Sequence, residues 1–161
     1  MTNQRSDPYL ASTFRVVSKA LPALGFSEVR GLSVELADHG DAATNQPSRD
    51  ASDQRETRSP LLELRRGITD EQALWTWLQQ WIGGNITPQD VRICLLDEQG
   101  NPVRGWICVG ATPVRWRGPT LVADQATVAT ETLELAHQGI EAVTDLEECC
   151  DPHSKESSNA V

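Results

Sequence analysis

Residues 69–84 limit the folds open to this chain more than any other stretch. Thr69 can cap a helix, and Gln72, three residues on, completes a capping box; Asp70 and Glu71 suit the positive end of the helix dipole. Leu74, Trp77, Leu78 and Trp81 then recur at i, i+3, i+4 and i+7, one apolar face of an α-helix. Gly83-Gly84 terminates it. The spacing predicts a helix over 70–82, with Trp75 and Ile82 widening the stripe. Three of the chain's five tryptophans lie on this helix. At 161 residues there is room for one core and hardly for two, so the helix must anchor it.

Around the helix the period changes to two. Phe14-Arg15-Val16-Val17 reads as a first strand. A second begins near Ser27, punctuated by Gly25 and Gly31, with Leu32, Val34 and Leu36 on one face and Ser33 and Glu35 on the other. Val91, Ile93 and Leu95 alternate with Arg92 and Cys94, and residues 97–102 supply a turn before residues 103–109 return as a hairpin. Pairing Leu96 with Val103 sets Cys94 opposite Gly105. Residues 112–116 predict a further strand ended by Gly118-Pro119. Residues 127–136 predict the last, with Leu133 and Leu135 opposed to Thr132 and Glu134. Six or seven strands and one helix make a β-dominated α+β domain, an antiparallel sheet closed into a barrel or sandwiched on itself with one flanking α-helix. Its expected core anchors are Leu74, Trp77, Leu78, Trp81, Trp106 and Trp116.

Two segments cannot contribute to that core. Residues 38–60 hold almost no large apolar side chain and cannot bury enough surface to offset their ordering entropy. So long a structureless loop is expected either to be disordered or to become ordered on a neighbouring subunit. Residues 141–161 carry six carboxylates against one lysine and read as a disordered or loosely docked tail behind a domain of residues 1–140.

The formal charge of −9, from 14 basic and 23 acidic residues, argues against general nucleic-acid binding, which needs cations to displace phosphate counterions. Only Lys19 and Lys155 are lysines. That balance suits a high-salt cytoplasm, and equally an ordinary acidic protein of a GC-rich genome. No apolar run reaches the roughly 18–20 residues of a membrane span. Residues 1–8 are polar and unlike a signal peptide, which predicts synthesis in the cytoplasm.

Reactive chemistry is sought and not found. Phosphate-binding glycine loops, nucleophile elbows, zinc helices and calcium loops are all missing. His39, His137 and His153 are scattered, and in a strand Glu134 and His137 would face opposite ways. Asp97-Glu98 reads as a solvated turn, and Arg65-Arg66 and Arg115 with Arg117 as exposed strand positions or subunit contacts. Cys94 and Cys108 read as small buried hydrophobes, and a disulfide between them is not expected from the hairpin register. Cys149-Cys150, with His153 nearby, lacks the second ligand pair of a zinc site and reads as part of the solvated tail. No cofactor, metal or enzymatic activity is expected.

Four segments, in order, carry a family likeness: Phe14-Arg15-Val16 with Gly25-Phe26-Ser27-Glu28-Val29-Arg30-Gly31-Leu32; Leu64-Arg65-Arg66-Gly67-Ile68-Thr69-Asp70 leading into Leu74-Trp75-Thr76-Trp77; residues 91–100 with Trp106 and Pro113-Val114-Arg115-Trp116-Arg117-Gly118-Pro119; and Glu131-Thr132-Leu133-Glu134-Leu135-Ala136-His137-Gln138-Gly139-Ile140. Together, over roughly residues 14–140, they resemble the tail-tube family of contractile phages and phage-like extracellular injection systems. The resemblance implies a structural protomer that forms hexameric rings stacked into a hollow tube, with the type VI secretion tube protein a distant cousin. Its implied partners are copies of itself, a sheath, a baseplate hub and a terminator, with cargo or DNA in the lumen. It implies subunit contacts from Asp38, Asn45, Arg49, Arg55, Arg58, Arg65 and Arg66. Family members usually carry a more basic, Pro-Gly-containing run before Leu64. Here residues 48–58 mix charges, which raises a second reading, a tube initiator or adaptor near the baseplate. A third, from another class, is a binding module that grips a ligand or peptide with the tryptophan-rich region.

Overall fold

One strand runs the length of the molecule and gives both halves of the sheet their common axis. The computed structural model describes residues 7–21, 24–36, 57–85 and 87–149. Its elements are β1 (Phe14–Val17), β2 (Glu28–Arg30), β3 (Glu35–Leu36), β4 (Thr57–Arg58), β5 (Leu62–Gly67), α1 (Ala73–Ile82), β6 (Gln89–Leu96), β7 (Pro102–Arg117), β8 (Thr130–Ala136) and β9 (Gly139–Ala142), then a 3-10 turn, Leu146–Cys149. The expected strands at 103–109 and 112–116 are the single sixteen-residue β7. Up to Ala111 it pairs with β6, and from Thr112 it pairs with β8. On its other side Trp106–Val109 pairs with β9. The chain turns the corner at Gly110, whose φ of 58° lies in the left-handed region open to glycine. The Asp90 carboxylate accepts the Gly110 N–H at 3.0 Å, and the Val109 carbonyl accepts the Gln138 N–H at 2.8 Å.

The sheet path is β1-β6-β7-β8-β5-β2, antiparallel throughout, with β9 on β7. Its terminal strands β1 and β2 are not paired with one another, so the sheet is open rather than closed into a barrel. The physical reason is local. The turn from Ser18 to Leu21 carries the chain away from β1, β2 is only three residues long, and clefts of about 550 and 280 Å³ open along the seam beside Phe14, Phe26 and Val29.

The two arms face each other across the core. Val16, Val91, Ile93, Cys108 and Ala111 come from one arm, and Leu62, Leu64, Leu133 and Leu135 from the other. Helix α1 enters with Leu74 and Trp77 buried and Leu78 and Trp81 half-buried, as the spacing predicts. Trp106 and Trp116 are half-buried and pack against the same cluster. The helix starts at Ala73 rather than 70, because the Thr69 hydroxyl accepts the Glu71 N–H at 3.2 Å in a turn before it and Gln72 holds the cap position without a side-chain bond. Trp75 projects outward and meets Trp116 edge-on at 5.0 Å.

Three further expectations are corrected. Leu32, Val34 and Leu36 are exposed, because β3 pairs only with β4 in a ribbon apart from the main sheet. In the hairpin Cys94 does stand opposite Gly105, but a register shift pairs Leu96 with Pro102 and leaves Val103 over. Residues 141–149 are not a loose tail: they complete β9 and a turn whose Cys149 is disulfide-bonded to Cys94. Residues 150–161 and most of the 38–60 loop lie outside the described residues.

Trp77→Ala, which empties a buried aromatic site, is expected to lower unfolding free energy by about 3–5 kcal/mol in urea denaturation. Trp75→Ala, which loses mainly the edge contact with Trp116, is expected to cost about 1 kcal/mol.

Candidate functional site

The arm made of β2, β5, β8 and the end of β7 presents an outer face rich in charged side chains. The register places Glu28 beside Arg65 and Arg30 beside Glu63, while Glu63 faces Glu134 directly. Two like charges opposed across strands repel. Arg117 resolves this by reaching both, its Nη2 lying 3.0 Å from the Glu134 carboxylate and 3.4 Å from that of Glu63. Arg115 approaches the other Glu134 oxygen at 3.4 Å. Arg30 pairs with Glu28 at 2.6 Å, and Arg65 lies 3.6 Å from Glu28 while donating to the Thr130 hydroxyl at 3.3 Å. Four arginines against three glutamates leave one positive charge on this face, in a chain whose formal charge is −9. The solvent-exposed pairs of Glu28 add little stability, whereas Glu134 is buried beneath the two arginines that reach it. The effect of these charges is to give the face a nearly charge-balanced, largely polar surface.

The opposite face of the same strands hides an ion pair. The leucine alternation at 62 and 64 carries Arg66 inward to 3% exposure, and the alternation at 133 and 135 carries Glu131 inward to 5%. Arg66 Nε lies 3.9 Å from Glu131 Oε1; Arg66 also donates to the Thr69 hydroxyl at 2.6 Å and to the Gly67 carbonyl at 3.3 Å. Trp116 Nε1 donates to Glu131 Oε2 at 2.9 Å. The expectation that Arg66 is an exposed strand position is therefore corrected: it is held inside by a carboxylate, a hydroxyl and a carbonyl. The signal was present in the period of two, which sets Arg66 on the leucine face.

The other expected contact residues divide in a simple way. Arg65 is exposed on the polar face and Arg58 stands in β4 opposite Glu35. Asp38, Asn45, Arg49 and Arg55 lie outside the described residues. His137, expected to be structural, sits between two backbone carbonyls: Nε2 is 3.0 Å from the Pro60 oxygen and Nδ1 is 3.1 Å from that of Gly139. It thus joins the exit of the polar 38–60 segment to the junction of β8 and β9. Asp97 organises the hairpin turn, accepting the N–H of Asn101 at 2.8 Å and of Gln99 at 3.0 Å; the Asn101 bond, above all, lowers its pKa from the ordinary 3.8. Among the described residues no three His, Cys, Asp or Glu side chains gather to hold a metal ion, and no helix is long and apolar enough to cross a membrane.

Glu131→Ala strands a buried guanidinium and is expected to cost about 3–5 kcal/mol of unfolding free energy. The double variant Arg66→Met/Glu131→Leu is expected to recover most of that loss in the same denaturation series. A depressed carboxylate stabilises above its unfolded pKa and loses that contribution as pH falls through its folded one. Protection of the Gln99 and Asn101 amides, measured against their intrinsic exchange rates, should therefore fall on acidification below about 3.8, and Asp97→Ala should abolish that dependence.

Comparison with known proteins bears on what such a domain is for. The family model described as T4-like virus tail tube protein gp19 matches residues 10–141. No curated protein sequence matches the chain. Among solved structures, a chain of the anti-feeding prophage baseplate is 26% identical, with a TM-score of 0.70 over 86% of this chain and 97% of that one. A chain of the sheath–tube complex of an extracellular contractile injection system, PVC, is 18% identical with a TM-score of 0.64 over 84% and 91%. Hcp1 from Flavobacterium johnsoniae is 17% identical with a TM-score of 0.53 over 80% and 93%. The last two likenesses are of fold. With the family model spanning most of the chain, from ahead of β1 to the end of β9, the protein belongs to the T4-like virus gp19 family of tail tube proteins, and its role is structural rather than enzymatic.

Proposed function

We propose that this tail tube protein assembles as hexameric rings that stack into the inner tube of a contractile particle, a phage tail or an extracellular injection system, driven out when a sheath contracts. The observation that carries the reading is the family match over residues 10–141 in a domain whose polar sheet face lies between two unpaired edges, β2 and the 112–117 half of β7. Unpaired edges invite another strand. A head-to-tail contact between different edges of successive copies closes into a ring if its rotation allows. Such closure would supply from neighbours the barrel that the single chain leaves open. The nearly charge-balanced outer face of Arg30, Arg65, Arg115 and Arg117 with Glu28, Glu63 and Glu134 suits a channel wall, because it offers little apolar grip and no strong field to passing cargo or DNA. Residues 38–60, Asp38, Asn45, Arg49, Arg55 and Arg58 among them, would reach adjacent subunits, with the sheath outside and the baseplate hub and terminator at the ends. Synthesis in the cytoplasm precedes assembly in this scheme.

A second reading has its own support. The 26% likeness to a chain of the anti-feeding prophage baseplate favours a tube subunit placed next to the baseplate over a bulk repeat. The binding-module reading loses support: Trp77 is buried, Trp81 half-buried, and Trp75 packs on Trp116 without forming a groove.

Negative-stain electron microscopy of the purified protein at low and at molar salt tests these readings. Rings with a central hole are expected, and long stacked tubes identify the bulk subunit. Single rings or short stacks identify the baseplate-proximal one. Monomers alone, in both salts and at high concentration, would overturn the assembly.

A further inference from the structure

The outer face of β6 carries a second, smaller core whose cover is the C-terminal segment. Val91 and Ile93 point into the main cluster, whereas Cys94 and Leu96 point the other way and are buried with Cys149 and Val143. Little besides the disulfide holds this cover in place. The Val143 N–H donates to the Gly105 carbonyl at 2.8 Å, and Arg15 Nη1 donates to the Cys149 carbonyl at 3.4 Å. Among the described side chains of residues 143–149 Cys149 is fully buried, Val143 and Leu146 are half-buried, and Thr144, Asp145 and Glu147 are exposed. The seat beneath is cut to fit. A Cβ on Gly105 would stand 2.9 Å from Cys149 Sγ and 3.0 Å from Val143, so a side chain at this position would displace the segment.

We propose that the Cys94–Cys149 bond is a redox clasp for the C-terminal arm: oxidised, it holds residues 143–149 against the outer face of the sheet, and reduced, it releases them. The reaction is thiol–disulfide exchange with a dithiol. One protein S–S bond is broken by two electrons and two protons, giving the Cys94 and Cys149 thiols, while the dithiol closes to its own disulfide. Release uncovers Leu96 and frees the acidic arm that begins at Asp145. Among its described residues the segment docks by one buried and two half-buried side chains, two hydrogen bonds and one covalent link; without the link the ordering entropy of seven residues outweighs what remains. The main core contains neither cysteine, so the two arms of the sheet and α1 keep their packing. A clasp of this kind is open in a reducing cytoplasm and shut in oxidising surroundings outside a cell. The inference concerns one protomer and stands apart from how protomers assemble. Cys108 supplies an internal reference, since its thiol is buried in the main core and pushed up to about 11 by that burial.

The test uses the full chain carrying Cys150→Ser, so that only one partner is open to Cys94. Native protein treated with iodoacetamide should gain no label, and two labels after dithiothreitol, read by intact mass. Hydrogen exchange should accelerate about ten-fold or more at the amides of 143–149 on reduction, with β5 and β8 unchanged. Cys94→Ala/Cys149→Ala should show the fast exchange with or without reductant. Two labels without reductant would mean that no bond forms and would overturn the proposal. Unchanged exchange at 143–149 after reduction would overturn it too, as would acceleration spread over the whole core, which belongs to a bond that holds the fold and not an arm.

Discussion

The continuity of β7 is the constraint on which the remaining packing rests. Backbone donors and acceptors inside a protein must be paired, and a strand exchanges them with neighbours on two sides. Before Ala111 β7 has β6 on one side and β9 on the other; after it, β8 takes over. The bend at Gly110 therefore turns one sheet into two facing arms without breaking the ladder. Everything apolar follows from that turn. The inward residues of both arms meet, α1 covers the open flank with Leu74 and Trp77, and the seam between β1 and β2 is left where no strand reaches.

Charge is distributed in two quite different settings on the same three strands. On the outer face Arg115 and Arg117 reach from solvent over Glu63 and over a Glu134 that is itself buried, and they offset the repulsion of the two opposed carboxylates. Inside, Arg66 and Glu131 are out of water, where desolvation is costly and only close partners offset it. Trp116 ties the two settings together, since its ring edge touches Trp75 of the helix while its N–H holds Glu131. The inner pair thereby fixes how α1, β5, β7 and β8 sit together, a matter of specificity more than of raw stability.

The fold was legible wherever its signal was local. The helical stripe at 74–81, the strand at 14–17, the Cys94–Gly105 register and the alternation at 133–135 all declare themselves within a few residues. The strands expected at 103–109 and 112–116 are one, and Gly110 lies in the gap left between them. That glycine makes the corner, and Pro113 stands where β7 has a paired strand on one side only, a place that tolerates its missing N–H. Arg66 was assigned to the surface because charge defaults outward, although its spacing from the leucines said otherwise. The Cys94–Cys149 contact, 55 residues apart in sequence, had no local signal at all. The alternation of Leu32, Val34 and Leu36 did not foretell their exposure, since burial depends on a second layer that a two-stranded ribbon lacks. Of the expected contact residues the sequence placed Arg65 on the exposed face correctly, and periodicity alone could have moved Arg66 inward.

Closing the chain between Cys94 and Cys149 also changes what happens under load. If the ends of an oxidised subunit were pulled apart, force would pass through the sulfur bridge and bypass the 55 intervening steps. At ~3.4 Å per extended residue that withholds roughly 190 Å of contour length. The ribbon of β7, β8 and β9 lies inside the bypassed loop, while β1, β2, β5 and α1 lie outside it. In a body that is driven forward abruptly, the segment forming the common axis of both sheet arms is the part that tension between the termini does not reach.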